Sequence, residues 1–406
     1  MMLNNTSSDL LAASAAGLGD SWTTPGLADL AGGSGLAGDE EKKSYGDVFI
    51  ASEAIISNRA LEIIENLIDV FVISLLALLG IVTNILDLAV FYRQGFKDSV
   101  NISLAAIAVW DLIKCVCGIA IRVYGPLGWH SRAYRYTWKS LTTPTLVYLQ
   151  VFANYVSYVL AAYVSFERCL CVTIPFKVKS IVTPRLTFIM MILISVLVIA
   201  SFGVIFFIYD IGWVYSTYFN ATVAVFEFNS FHRNHGPVVI AYFNLIGIIN
   251  PIFCFIVIVT CTAIIVYQLN KMSRFRAAAT AASSKTDSAA TTTVAATPDA
   301  AAAAAGNSLS SRDRQVVKML VVVIIVYIVA LLPRFAHYAG KFTEPDFAYL
   351  RRYHNMFTLS SYIVLTFDYI NASVNLFIYL TMSTNFRATF YQMFPACGKK
   401  KLGSGA

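Results

Sequence analysis

Seven apolar stretches, at residues 66–92, 100–122, 142–173, 186–208, 238–269, 315–338 and 355–383, are each long enough to cross about 30 Å of hydrocarbon at about 1.5 Å per residue. Inside a bilayer every backbone N–H and C=O must find its partner within the protein, which leaves only helices and closed barrels. Barrel strands are short and alternate in polarity, so these stretches are helices. The expected fold is therefore an all-α membrane protein, a seven-transmembrane helix bundle. Of the 406 residues 57% are hydrophobic and only 13% charged, a balance foreign to a soluble domain of this length. The net charge of +7 is modest and no nucleic-acid motif accompanies it, so it is assigned to loops flanking the bilayer, with no nucleic acid as partner.

Lysine and arginine are more frequent on one side of the spans, which places the N-terminus outside and the C-terminus inside at the plasma membrane. Residues 1–60, rich in Gly, Ala, Ser and Leu and lacking a signal-like apolar core, read as a disordered extracellular tail. Asn4, Asn5 and Asn220 head Asn-x-Ser/Thr sequons on the outer side and are glycosylation candidates. Those at Asn101 and Asn371 fall in or beside spans, out of the glycosylating enzyme's reach. The longest inner loop carries a low-complexity Ala/Thr/Ser tract at 277–311, read as irregular, its hydroxyls serving as phosphorylation sites or as plain linker.

Beyond the seventh stretch, residues 385–394 place apolar groups at helical spacing, as a short amphipathic helix at the interface would. The cytoplasmic tail, 397–406, follows. Its Cys397 precedes lysines at 399–401 and is a candidate for lipidation, against the alternative of an idle thiol. The other cysteines, Cys115, Cys117, Cys169, Cys171, Cys254 and Cys261, lie in or at the ends of spans and read as small packing residues.

Polar side chains within the spans are costly and so informative. Asn84 lies in the first, Asp111 in the second, and Asn371 and Asn375 one turn apart in the seventh. At similar depth on touching helices they would hydrogen-bond across the bundle.

These residues, with Glu167-Arg168-Cys169 followed by Pro175, with Pro251 and Pro333 in the fifth and sixth spans, and with Asn375-Leu376-Phe377-Ile378-Tyr379 followed by Phe386-Arg387, resemble the rhodopsin-like (class A) G-protein-coupled receptors over residues 66–396. The resemblance implies a receptor that passes an extracellular signal to a heterotrimeric G protein. It assigns Arg168 to an inner switch, held at rest by Glu167 and by Asp313 at the foot of the sixth helix, with Tyr379 as companion. It also implies a sodium-type site at Asp111, with Ser157, Asn371 and Asn375 as neighbours; the alternative there is a hydrated polar network without an ion. No other cofactor is expected.

Several positions depart from the family pattern. Thr143 stands where the outer disulfide would begin, and residues 209–237 contain no cysteine, so the outer loops must be ordered by packing, by ligand, or not at all. Leu331, Val259 and Leu376 replace the aromatic switch, the fifth-helix tyrosine and the seventh-helix proline. A retinal Schiff base is excluded, since Tyr369 occupies the lysine position. Gln150, where amine receptors carry an aspartate, argues against a biogenic amine.

The remaining pocket candidates are Lys114, Arg122, Arg334 and Asp368. They would either receive an anionic ligand or pair internally, Lys114 with Asp111 and Arg334 with Asp368. Residues 166–184 look most like invertebrate, particularly molluscan, chemosensory and peptide receptors, so the expected ligand is a chemosensory small molecule or a neuropeptide. The alternative function is a polytopic membrane transporter, disfavoured because no repeated halves are visible. An enzyme is not expected: the five histidines, His130, His232, His235, His337 and His354, are too dispersed for a metal centre.

Overall fold

The computed structural model describes residues 55–174, 178, 182–217, 219–286, 311–344, 346–347 and 351–395, with side chains for all of these except 269–270, 272–286, 311–317 and 320. Seven helices are long and apolar enough to cross a membrane. The first spans Asn58–Gln94 and is capped by Ser57, whose Oγ accepts from the Ala60 N–H at 3.2 Å. It ends at Gly95, where φ of 82° suits only glycine without strain. The second, Ser99–Arg122, is capped by Asp98 and continues outward as Tyr124–His130. An outer-loop helix, Arg132–Thr142, then leads through a π turn into the third helix, Tyr148–Thr173.

The fourth helix, Pro184–Phe202, starts on a Thr183 cap with proline at its first position, where the missing N–H costs nothing. The fifth is Ser230–Thr286, the sixth Ser311–Thr343 and the seventh His354–Met382, with Pro237 and Pro251 inside the fifth and Pro333 inside the sixth. A short helix, Thr384–Met393, follows the seventh, capped by Ser383 and burying Phe386 and Phe390.

The third helix is the axis of the bundle and the most buried of the seven, the fourth the least. Its Tyr155 stacks on Phe202 of the fourth helix, ring centroids 4.4 Å apart, and Phe152 and Phe243 complete an aromatic seam joining the third, fourth and fifth helices. Outward-facing Leu75, Leu78, Val82 and Ile85 on the first helix, and Ile189, Leu193 and Val196 on the fourth, meet lipid in a membrane.

Two differences from the sequence reading concern helix ends. The first helix begins at Asn58, before the apolar stretch at 66, because the carboxylate of Glu65 is neutralised by cations from the outer-loop helix. The fifth runs from Ser230 to Thr286, some way into the low-complexity tract, where alanine's high helix propensity carries it onward.

A third difference is a β-hairpin in the second outer loop, absent from the all-α expectation. Strand β1 (Tyr209–Ser216) pairs antiparallel with β2 (Ala221–Phe228), in register from Tyr209 opposite Phe228 to Ser216 opposite Ala221. The hairpin lies on the outer-loop helix: Val223 and Val225 form an apolar cluster with Ala133 and Tyr136, and the Ala224 N–H donates to Thr137 Oγ1 at 3.3 Å. Packing therefore orders these outer loops. Thr143, at the position of the family's cysteine, is buried and turns its hydroxyl onto the Lys139 carbonyl at 2.8 Å.

Candidate functional site

A column of buried polar side chains runs through the bundle along the third helix. At its outer end the π-helical stretch Glu65–Ile73 presents two acids inward. Asp69 accepts from Arg122 Nη2 at 2.7 Å and from the Tyr124 hydroxyl at 2.7 Å, and its carbonyl accepts from Arg122 Nε at 2.9 Å. Glu65 binds Lys139 at 2.6 Å and Arg135 at 3.0 Å. Both cations also lie over the Tyr124 ring, Lys139 Nζ at 4.4 Å and the Arg135 guanidinium at 5.1 Å from its centroid. Glu65 and Asp69 did not stand out in the sequence; the available signal was two acids four residues apart at the N-terminal end of the first apolar stretch.

Deeper in, Arg334 of the sixth helix donates to Asp368 Oδ2 of the seventh at 2.6 Å. Asp368 also accepts from the Tyr158 hydroxyl at 2.7 Å and from Asn154 Nδ2 at 3.0 Å. Asn154 Oδ1 in turn accepts from Lys114 Nζ at 3.3 Å, and Lys114 reaches Asp111 Oδ1 at 3.0 Å. Ser157 Oγ donates to the same Asp111 oxygen at 3.1 Å, and Asn375 Nδ2 to the other at 3.4 Å. Four helices are thus tied by two neutral ion pairs bridged by Asn154. Charges held this way tolerate a low dielectric; removing either partner leaves the other buried and alone.

Beside this chain, the Tyr369 hydroxyl lies 2.9 Å from Gln150 Oε1 and 3.5 Å from Arg122 Nη1. Tyr369 sits here because Gly118 gives it room: a Cβ at 118 would fall 2.6 Å from the ring's Cζ. A cavity of about 50 Å³ opens between these groups, lined by Lys114, Gln150, Asn154, Arg334, His337, Asp368 and Tyr369 among others. It has room for a few water molecules. Of the pocket candidates, then, all but Arg122 line one cavity, and Lys114, Arg122 and Arg334 each have a carboxylate partner.

Towards the inner side, Asn84 Nδ2 donates to the carbonyls of Gly80 at 2.7 Å and Ala372 at 2.8 Å, joining the first and seventh helices. Asn371 is buried, and its Oδ1 has no hydrogen-bond partner. Asp87, one turn below Asn84, is also fully buried, and neither of its carboxyl oxygens has a hydrogen-bond partner. At the inner face, Arg168 pairs with its neighbour Glu167 and donates to Ser99 Oγ at 3.3 Å, while Ser103 donates to Glu167 Oε2 at 3.3 Å. Tyr379 packs between Phe91 and Phe386, centroids 5.6 and 5.3 Å away. Asn220 lies exposed in the hairpin turn. Asn4, Asn5, Pro175, Cys397 and the side chain of Asp313 lie outside the described residues.

The sequence profile described as "7 transmembrane receptor (rhodopsin family)" matches residues 83–379, most of the chain and all of the column from Asn84 to Tyr379. The chain belongs to this family. It is a multi-pass membrane receptor, and the match lends no support to a transporter. No curated protein matches the chain in sequence.

The receptor's departures from the family pattern have visible surroundings. Leu331 is wholly buried in the main apolar core, as is Leu376 nearly so, and Val259 is among the outward-facing residues of the fifth helix. Where a polar or aromatic switch would stand, the receptor has aliphatic packing, and its buried polar contacts are concentrated instead on Arg334, Asp368, Asn154 and Lys114. Among the described residues no cluster of metal-binding side chains occurs.

Proposed function

We propose that this receptor, at the plasma membrane with its N-terminus outside, couples an extracellular small molecule or peptide to a heterotrimeric G protein through Arg168. The observation that carries the reading is the buried Glu167–Arg168 pair at the inner end of the third helix, further engaged by Ser99 and Ser103 of the second. A guanidinium held by its neighbouring carboxylate at rest is a two-state element: releasing it frees a charged, hydrogen-bonding group for a docking partner. Asp313 is the second acid assigned to the clamp by family resemblance.

The ligand acts from the outer cavity. A ligand carboxylate reaching Arg334 would compete with Asp368 for the guanidinium, and so would loosen the tie between the sixth and seventh helices. The likeness of residues 166–184 to invertebrate, particularly molluscan, receptors favours a chemosensory compound or a neuropeptide, and Asn220 fits a glycan on the outer surface. A screen of amidated peptides and small carboxylates in cells reporting G-protein activation tests the reading, with Arg168→Ala as control. A ligand response that survives this substitution unchanged rejects the role given to Arg168.

A further inference from the structure

Family resemblance implies a sodium ion at Asp111, and the side chains around this carboxylate do not fit one. The ammonium of Lys114, one turn outward on the same helix, lies 3.0 Å from Asp111 Oδ1 and 3.3 Å from Asn154 Oδ1, so a cation already bridges these two oxygens. Ser157 directs its proton at the same carboxylate oxygen and Asn375 directs an amide N–H at the other. These donors satisfy Asp111 without an ion, and the Lys114 ammonium already takes the place and the charge that a metal ion would have, leaving the amide oxygens of Asn371 and Asn375 unpartnered. Lys114 is 1% exposed and Asp111 not at all, so the pair is closed off from bulk solvent.

We propose that the Lys114 ammonium replaces the sodium ion in this receptor, as a cation tethered to the second helix that keeps Asp111 neutralised in every state. Charge as well as space disfavours a second cation here. A sodium ion added beside Lys114 would put two positive charges against the single charge of Asp111, in a region where unlike numbers of charges are costly. Asp368 does not correct the balance, being committed to Arg334 at 2.6 Å. The remaining acid is Asp87, fully buried and within electrostatic reach of Asp111. Asp87→Asn therefore serves as a control in the test.

A tethered cation differs from a bound ion in one consequence that can be measured. It cannot dissociate, so the resting state owes nothing to the sodium concentration, and its strength does not vary with the ionic composition outside the cell. The experiment compares the thermal melting of the purified full-length receptor in sodium chloride and in choline chloride at equal ionic strength. The wild type is expected to melt at the same temperature in both. Lys114→Met, which keeps the stem and removes the charge, is expected to gain a saturable, sodium-specific rise of roughly 2–5 °C.

A sodium-specific rise in the wild type overturns the proposal. If Asp87→Asn then abolishes that rise, the ion sits between the two acids instead. A folded Lys114→Met receptor indifferent to sodium also overturns it, because Asp111 would then have no need of a cation. Should Lys114→Met fail to fold, sodium-23 NMR on the wild type decides: an unbroadened resonance at increasing receptor concentration supports the tethered cation, and receptor-dependent broadening displaceable by excess sodium contradicts it.

Discussion

Arg334 Nη2 lies 2.6 Å from Asp368 Oδ2, and this pair is the one direct ionic link described between the sixth and seventh helices. Both side chains are almost wholly buried, so neither charge has water to fall back on. Truncating one partner of such a pair costs about 3–5 kcal/mol. Arg334→Met or Asp368→Leu alone should therefore cut the amount of folded receptor at the cell surface sharply. The double variant should recover much of the loss, and a thermal double-mutant cycle showing independent, additive effects would deny the coupling.

Glu65 does the work of a missing staple at the outer face. Its carboxylate holds Arg135 and Lys139 of the helix on which the β-hairpin lies. Hydrogen bonds to charged groups contribute about 1.5–3 kcal/mol each. In Glu65→Gln, amide exchange across Arg132–Thr142 and the hairpin should accelerate, by roughly ten- to a hundredfold. Exchange that remains at the wild-type rate would assign the ordering of these loops to apolar packing alone.

Gly118 and Tyr369 form a steric pair across the second and seventh helices. A methyl group at 118 would overlap the tyrosine hydroxyl and its Cζ, with overpacking of this kind costing about 1–3 kcal/mol. Gly118→Ala is expected to lower the melting temperature and to weaken any ligand that uses the Gln150 side of the cavity. Adding Tyr369→Leu should restore melting but not the ligand effect, since the hydroxyl on Gln150 is then gone.

Asn220 stands in an exposed turn with φ of 48°, a conformation that asparagine tolerates better than most residues. Its sequon continues into Thr222 at the start of β2. Glycosidase treatment of the receptor from eukaryotic cells should increase its electrophoretic mobility, and Asn220→Gln should remove one step of that shift. The same substitution at Asn101 should change nothing.

Much of this architecture is legible in the sequence because lipid makes the code simple. Runs of apolar residues long enough to span hydrocarbon have one economical conformation, and polar residues such as Asn84, Asp111 and Asn375 stand out within them. Internal pairing of Lys114 with Asp111 and of Arg334 with Asp368 stands level with an anionic ligand in the sequence alone, and the folded chain brings both pairs together.

What the sequence hid was non-local or depended on a register. Asp69 meets Arg122 and Tyr124 only because a π-helical stretch turns it inward, and periodicity at an ordinary helical repeat does not anticipate that. The hairpin occupies a cysteine-free segment whose only strand signal is compositional, Thr222, Val223, Val225, Phe226 and Phe228 being the β-branched and aromatic residues that strands favour. Asp87 gave no motif. Its significance comes from being buried with both oxygens unpartnered.

The role proposed for the Glu167–Arg168 pair is to restrain a switch read by a G protein. Its most direct test is nucleotide exchange on a purified heterotrimeric G protein by the reconstituted receptor, comparing wild type, Glu167→Gln and Arg168→Ala. Weakening the clamp in Glu167→Gln should raise ligand-independent exchange, and removing the guanidinium in Arg168→Ala should reduce exchange to the rate of G protein alone. Exchange that is the same for all three proteins, and above that of G protein alone, would remove the pair from the switch.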